Sequence, residues 1–212
     1  VWLTKQFTSP INVAIPSGNF GNAYSAWFGR SKGLPINEIL SSTNVNDVLR
    51  RFIETGELAP EKTLPSVAPS MDIQVPSSLE RLIFDFTDSA FDFYDTLSRE
   101  HKAKLSDEKI IELNHVFSSS TFLDDDIKNE IKSLHEEFGA IFDPHSVTSI
   151  RMALDNKGSI PTVAVATASP EKFSNIIAPL ISTSSEIIID EKEEYLTLEN
   201  DKFAISSTIK SY

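Results

Sequence analysis

Two glycines three residues apart, each followed by an amide side chain, come directly after an apolar run: Ile11-Asn-Val-Ala-Ile-Pro-Ser-Gly-Asn-Phe-Gly-Asn22. The β-branched residues Ile11, Val13 and Ile15 predict a buried strand that breaks at Pro16, and a helical pattern begins after the second glycine. Strand, glycine turn and helix start together make an anion site, because backbone N–H groups converge on the turn and the helix dipole favours negative charge. Gly18 and Gly21 let the backbone approach a ligand with no Cβ in the way. Asn19 and Asn22 add amide donors. A tight turn accounts for the bare GNFGN pattern as well as a ligand loop does.

Other candidates are weaker alone. Asn44, Asn46 and Arg50 follow a predicted strand, where ligands bind in open α/β sheets; a helix cap and solvated charge explain them equally. Thr167 lies just beyond the apolar run Thr162–Ala166, and its bland alternative is a cap before Pro170. His145 sits at a predicted helix start, whereas His101, His115 and His135 fall on predicted helices as surface or packing residues. Asp124, Asp125 and Asp126 open a helix, where negative charge contributes ~0.3–1 kcal/mol each, so capping is preferred to a metal site. Ser17 is outside G-x-S-x-G, no H-E-x-x-H spacing occurs, and the third glycine of a dinucleotide fingerprint is absent.

The longer strings are more specific. PSGNFGN (16–22) resembles the phosphate-cradling loop of the threonine synthase family, which depends on pyridoxal 5′-phosphate. The segment from Ser42 to Phe52, STNVNDVLRRF, is similar to that family's stretch after the next strand, and PSMDIQVPSSLERL (69–82) to its PSMDIQ…NLERL block. Asp143-Pro-His-Ser146 resembles DPHT, with Ser146 where threonine is usual. Ala166–Phe173 resembles TAHPAKF, with Ser169 in the place of histidine. The five blocks run in the family's order, and on them the chain is identified as a member.

The resemblance implies a fold-type II, tryptophan synthase β-like α/β fold: a mostly parallel sheet flanked by helices, with a helical insert. It implies that Gly18, Asn19, Phe20, Gly21 and Asn22 hold the cofactor phosphate and that Thr167 sets a neutral hydroxyl against the pyridine nitrogen. It places Asn44, Asn46 and Arg50 at the substrate, O-phospho-L-homoserine, which the complete enzyme converts with water to L-threonine and phosphate. The lysine that tethers the cofactor belongs to an FKD-type motif upstream of the glycine loop, and no lysine here has that context. The chain opens on Val1 without an initiator methionine. It therefore reads as the C-terminal portion, holding no catalytic residue, inactive alone, and with the missing N-terminal half as partner. A non-catalytic module that binds a phosphorylated ligand or pairs with another chain is the alternative. A third reading, another β-replacement or an ammonia-lyase reaction, fits the PSMDIQ and STNVND blocks less well.

The elements needed to position these residues are legible as alternating patterns. A helix over 22–32 stops at Gly33, a strand covers Ile36–Leu40, and Asn46 or Asp47 caps a helix that ends at Gly56. Residues 57–76 hold Pro60, Pro65, Pro69 and Pro76 and read as a loop. The section from about 77 to 139 reads as helical. Its stripes are Leu79, Leu82, Ile83 and Phe86; then Ile110, Ile111 and Leu113 after Ser106; then Ile127, Ile131, Leu134 and Phe138, closed by Gly139. Asp143 and Pro144 begin a helix with Val147, Ile150 and Leu154 inside. Thr162–Ala166 is predicted as a strand buried on both faces, followed by a helix with Phe173, Ile176, Ile177 and Leu180. One α/β unit over 1–182 and an acidic extension over 183–212, with an edge strand near Phe203, complete the expected organisation.

The 212 residues are long enough for a substantial core, and the net charge of −12 argues against a nucleic-acid partner. Zero cysteines remove disulfide, thiolate and zinc-thiolate chemistry. No apolar run reaches the ~20 residues of a membrane span, so the expected location is cytoplasmic.

Overall fold

A computed structural model describes residues 3–87 and 89–181. The acidic 183–201 stretch and the strand expected near Phe203 lie outside the described residues. The elements in chain order are β1 (Ile11–Pro16), α1 (Gly21–Ser31), β2 (Ile36–Thr43), α2 (Val48–Thr55), β3 (Glu57–Leu58), α3 (Leu79–Thr87) and α4 (Ala90–Glu100). They continue with β4 (Ala103–Lys104), α5 (Asp107–Asn114), β5 (Phe117–Thr121), α6 (Asp124–Phe138), α7 (Ser146–Asp155), β6 (Thr162–Ala164) and α8 (Ser174–Ile177).

Four strands form a parallel sheet in the order β5-β2-β1-β6, and β3 pairs antiparallel with β4. Parallel strands need crossovers, which helices supply on both faces. Every residue of β1 is buried, and successive side chains divide between the faces. Ile11, Val13 and Ile15 pack into the large cluster with α1 to α5, and Ala14 packs against Leu40 and Met152 of α7 on the other side. The α7 face toward the sheet is short and polar, with Ser146, Thr148 and Ser149 buried beside Val147. Small side chains let this helix come close, and the hydroxyls are paired: Thr148 with Ser42 at 2.7 Å, Ser149 donating to the Val165 carbonyl at 3.0 Å.

The strand order decides where a site can form. The chain steps from β1 to β2 to β5 in one direction, then returns to place β6 on the opposite flank of β1. Ligands in open α/β sheets bind beyond the carboxyl ends of strands where the order reverses, which here is the β1/β6 junction.

Several expectations are corrected. The section over 77–139 is not all helix: it contains β4, and β5 pairs with β2 in the main sheet. The short polar run Phe117–Thr121 has only Phe117 as an apolar anchor, so pairing rather than pattern makes it a strand. β6 is half-buried along its length, because it lies at the edge of the described sheet with β1 as its one neighbour. Phe138, Ile111 and Leu154 are exposed at 58%, 62% and 38%, and their helices are buried through Ile127, Ile131 and Leu134, through Leu113, and through Val147 and Met152. The loop over 57–76 includes β3 and one 3-10 turn, Pro69–Met71. No helix among the described residues is long and apolar enough to cross a membrane.

α2 shows how a short helix is secured. Val48, Leu49, Phe52 and Ile53 are all buried, and burying side chains of this size contributes ~1.5–3 kcal/mol each. Asp47 precedes the helix without a side-chain cap bond. Its carboxylate instead takes Arg50 and Arg51, one and the same turn ahead. Burial pushes the Asp47 carboxyl up, but the hydrogen bonds from Arg50 and Arg51 outweigh it and hold the group below the ordinary 3.8. Gly56 closes the helix at φ 70° with the Ile110 side chain directly over its Cα.

Gly56→Ala forces a Cβ into a left-handed residue and onto Ile110, so urea unfolding should report a loss of at least ~1–3 kcal/mol. A depressed folded-state pKa means that the Asp47 contribution is present above 3.8 and disappears as pH falls through the lower, folded value. Stability measured from about pH 5 downward should therefore fall less steeply in Asp47→Asn than in the parent chain.

Candidate functional site

β1 delivers the glycine loop to the reversal point. Ser17 is tied to β2 by its N–H to the Ser42 carbonyl at 2.9 Å, and α1 starts at Gly21. Between them the backbone N–H groups of residues 18–23 make no hydrogen bond to another described residue. Donors left over in a turn and the helix start that follows it favour a negatively charged ligand. The first helical residues lack intrahelical acceptors by geometry, and no side chain caps Phe20.

The glycines in this loop have separate duties. Gly18 is where the chain passes closest to another segment: a Cβ there would stand 2.6 Å from the Ser70 carbonyl oxygen and 2.8 Å from the Met71 Cα. Gly21 has ordinary room, its nearest neighbour being the Ser78 hydroxyl at 3.6 Å. The left-handed residue is Phe20, at φ 69°, almost fully buried with its ring 5.6 Å from that of Phe117. A non-glycine there costs on the order of 1–3 kcal/mol, and the buried aromatic contact offsets it.

The loop lines a cavity of about 290 Å³ through Pro16 and residues 18–22, with Ser70 and Met71, His145, and Thr167 and Ala168 as its other walls. Thr167 thus meets the glycine loop from the end of β6, although 145 residues separate it from Asn22. Its N–H donates to the Ser146 hydroxyl at 2.9 Å, and its own hydroxyl makes no hydrogen bond to a described residue. Asn19 and Asn22 part company. The Asn19 carbonyl oxygen accepts from the Ser77 N–H at 2.7 Å and the Ser77 hydroxyl at 2.9 Å, so this amide fastens the loop to residues 77–78. The exposed Asn22 side chain carries no such bond.

Asn44, Asn46 and Arg50 are not on this cavity. Asn44 is fully buried, and its amide nitrogen reaches Ser66 at 2.7 Å, the Ala68 carbonyl at 3.2 Å and the Asp72 carboxylate at 2.6 Å. Asn46 donates to Asp72 at 2.9 Å and to the Leu64 carbonyl at 2.8 Å, and accepts the Leu64 N–H at 2.8 Å. Gln74 joins by donating to the Asn46 side-chain oxygen at 3.4 Å, and it accepts the Glu61 N–H at 3.1 Å. Asp72 is the centre of this network, with Gln74 at its edge, and the passage over 61–74 is pinned by it. Arg50 bonds Asp47, Glu54 at 2.5 Å and Thr121 at 3.1 Å; the pairing with Asp47 first and Glu54 next holds its guanidinium further toward the charged form.

Asp143 sits beneath the cavity with no exposed surface. One oxygen accepts the His145 N–H at 2.9 Å, the Ser146 N–H at 3.3 Å and meets His145 Nδ1 at 2.8 Å; the other accepts the Ser146 hydroxyl. Burial drives this carboxyl upward, yet the bonds from His145 and Ser146 outweigh it and keep it below the usual carboxylate value. α7 begins at Ser146, two residues later than expected, and Asp143 caps that entry from outside the helix. His145 accepts the Ser70 N–H on Nε2 at 3.1 Å. The Ser146 hydroxyl keeps both of its bonds without the extra methyl of threonine. Ser169 is exposed and precedes the 3-10 turn Pro170–Phe173 with no side-chain cap. In the Asp124–Asp126 run, Asp126 accepts the Leu123 N–H at 2.9 Å and Asp124 the Val67 N–H at 3.1 Å, so two of the three acids satisfy backbone donors.

No family model matches the chain. It is 27% identical over 215 residues to a threonine synthase of Pseudomonas aeruginosa, covering 95% of this chain and 46% of that one. It is 31% identical over 196 residues to the threonine synthase of Methylobacillus glycogenes, covering 87% and 41%. A crystal structure of threonine synthase from Brucella melitensis with pyridoxal phosphate bound superposes with a TM-score of 0.81 at 25% identity, covering 95% of this chain and 46% of that one. The chain thus spans under half the length of the relatives it matches. The motif blocks, the parallel sheet and these likenesses converge: the chain is similar to the C-terminal portion of threonine synthases and shares their fold-type II architecture.

Proposed function

We propose that residues 18–23 hold the phosphate of pyridoxal 5′-phosphate, and that the chain serves an enzyme converting O-phospho-L-homoserine and water to L-threonine and phosphate. The observation that carries this reading is the run of six backbone donors without an acceptor among the described residues, set at the carboxyl end of β1 where the strand order reverses. A phosphate monoester dianion matches that demand in charge and acceptor number. The bound cofactor supplies an electron sink for charge developing beside the substrate amino group.

The chain's own residues bind and orient. Gly18 to Asn22 surround the phosphate, with backbone donors doing the work expected of the Asn19 amide, which holds residue 77 instead. Thr167, with its N–H anchored and its hydroxyl making no hydrogen bond to a described residue, would offer that hydroxyl to the cofactor's pyridine nitrogen from its place in the cavity lining. Asn44 and Asn46, together with Asp72, act one step back by pinning the passage that forms the Ser70 wall, and Arg50 steadies the start of α2. The unit over 1–182 carries this site in a cytoplasmic enzyme. The tethering lysine is assigned to the rest of the enzyme, so the isolated chain should form no threonine.

Equilibrium dialysis against pyridoxamine 5′-phosphate, which cannot form adventitious imines with surface lysines, tests the binding claim. Saturable binding competed by inorganic phosphate is expected, and absence of binding would remove the reading. Gly18→Ala, which drives a Cβ into the Ser70–Met71 backbone, should weaken binding by about tenfold or more while the chain stays folded. Borohydride reduction of the protein from its own source, followed by peptide mapping, should place a pyridoxyl-lysine outside residues 1–212. A source protein that carries no label would favour the non-catalytic module.

A further inference from the structure

The cavity wall that abuts the glycine loop at Gly18 is held by a side chain with no role assigned above. His145 is 3% exposed, lines the cavity, and has both ring nitrogens engaged. Nε2 faces the Ser70 N–H at 3.1 Å, and a backbone amide can only donate, so Nε2 must be the unprotonated acceptor. Nδ1 then carries the proton and donates it to Asp143 at 2.8 Å. The ring packs edge-to-face with that of Phe173, 4.8 Å between centroids. The amide that His145 grips belongs to the 3-10 turn Pro69–Met71, whose Ser70 carbonyl and Met71 Cα press against Gly18.

We propose that His145 is a positioning residue of the anion site. Held as the Nδ1–H tautomer by Asp143, it draws the 69–71 turn onto Gly18 and so sets where the N–H groups of the glycine loop stand. The proposal rests on the reading of residues 18–23 as a phosphate site. It makes the acceptor on Nε2, rather than ring volume, the property that matters at residue 145. Through the second oxygen of Asp143 and the Ser146 hydroxyl, the same carboxylate holds the Thr167 N–H. The two walls of the cavity are therefore registered against each other by one buried acid.

The test compares His145→Phe, which keeps ring volume and loses both nitrogens, with His145→Gln, whose amide oxygen reaches toward Ser70. In the parent chain, nitrogen NMR of the imidazole should show a pyrrole-type Nδ1 and a pyridine-type Nε2, and the Ser70 amide should be protected from hydrogen exchange. His145→Phe should bind pyridoxamine 5′-phosphate about tenfold more weakly, the loss of roughly one well-placed hydrogen bond, with Ser70 protection gone. His145→Gln should restore both. A folded His145→Phe that binds like the parent, or a parent chain with a protonated Nε2, overturns the proposal. Should His145→Phe fail to fold, His145→Gln decides: near-parent affinity supports the assignment, and a tenfold loss in a folded protein overturns it. A parent chain that never binds the probe would sink the phosphate reading itself, whereas binding unaffected at residue 145 sinks only this inference.

Discussion

A carboxylate with no access to water has to find hydrogen-bond donors for both oxygens, and Asp143 finds them within three residues of itself. Its two oxygens take the N–H groups of His145 and Ser146, the His145 ring and the Ser146 hydroxyl. A buried charge left without these partners costs several kcal/mol in proteins, so the geometry of the 143–146 turn is strongly constrained. From that turn the constraint spreads outward, to Ser70 through the imidazole and to Thr167 through the serine hydroxyl. The start of α7, the 3-10 turn and the end of β6 are thereby held in one frame around the glycine loop.

A second polar network works on the same wall from its far side. Asp72 receives Asn44, Asn46 and Ser66, so the end of β2 secures an extended passage that has almost no regular structure of its own. Loops with buried backbone need such partners. The chain uses amides and hydroxyls here where a helix or strand would use its own ladder. Phe20 is the counterpart on the opposite wall, a left-handed residue secured by burial against Phe117 rather than by a glycine. Donors held in place by three independent restraints lose little order when an anion arrives, which is how a preformed site gains affinity.

The parts of the fold that were legible in sequence are those governed by local periodicity. β1, α1 and α2 with its Gly56 stop, the α3 stripe and the Ile127–Ile131–Leu134 face of α6 all follow from spacing, because burial of one face is decided within a few turns. β5 was not legible, since Phe117-Ser-Ser-Ser-Thr121 has no apolar alternation and becomes a strand through pairing with β2. The half-burial of β6 is hidden from the sequence for the complementary reason: an apolar run records composition, while edge position is a property of strand order.

At the site, the residue types alone determined that a strand, a glycine turn and a helix start would leave backbone donors free, since helix geometry strands its first N–H groups whatever the rest of the chain does. The motif blocks carried the family. Only the tertiary structure decided which neighbour each polar side chain meets. Asn44, Asn46 and Arg50 stand at the end of a strand in sequence yet face a scaffold network and ion pairs. Gly18 is small because the Met71 backbone lies against it, a contact across 53 residues. Hydrogen bonds and close approaches act over about 3 Å of space and are indifferent to separation along the chain. Pairs such as Ser70 with His145 come into being only when the sheet has brought them together.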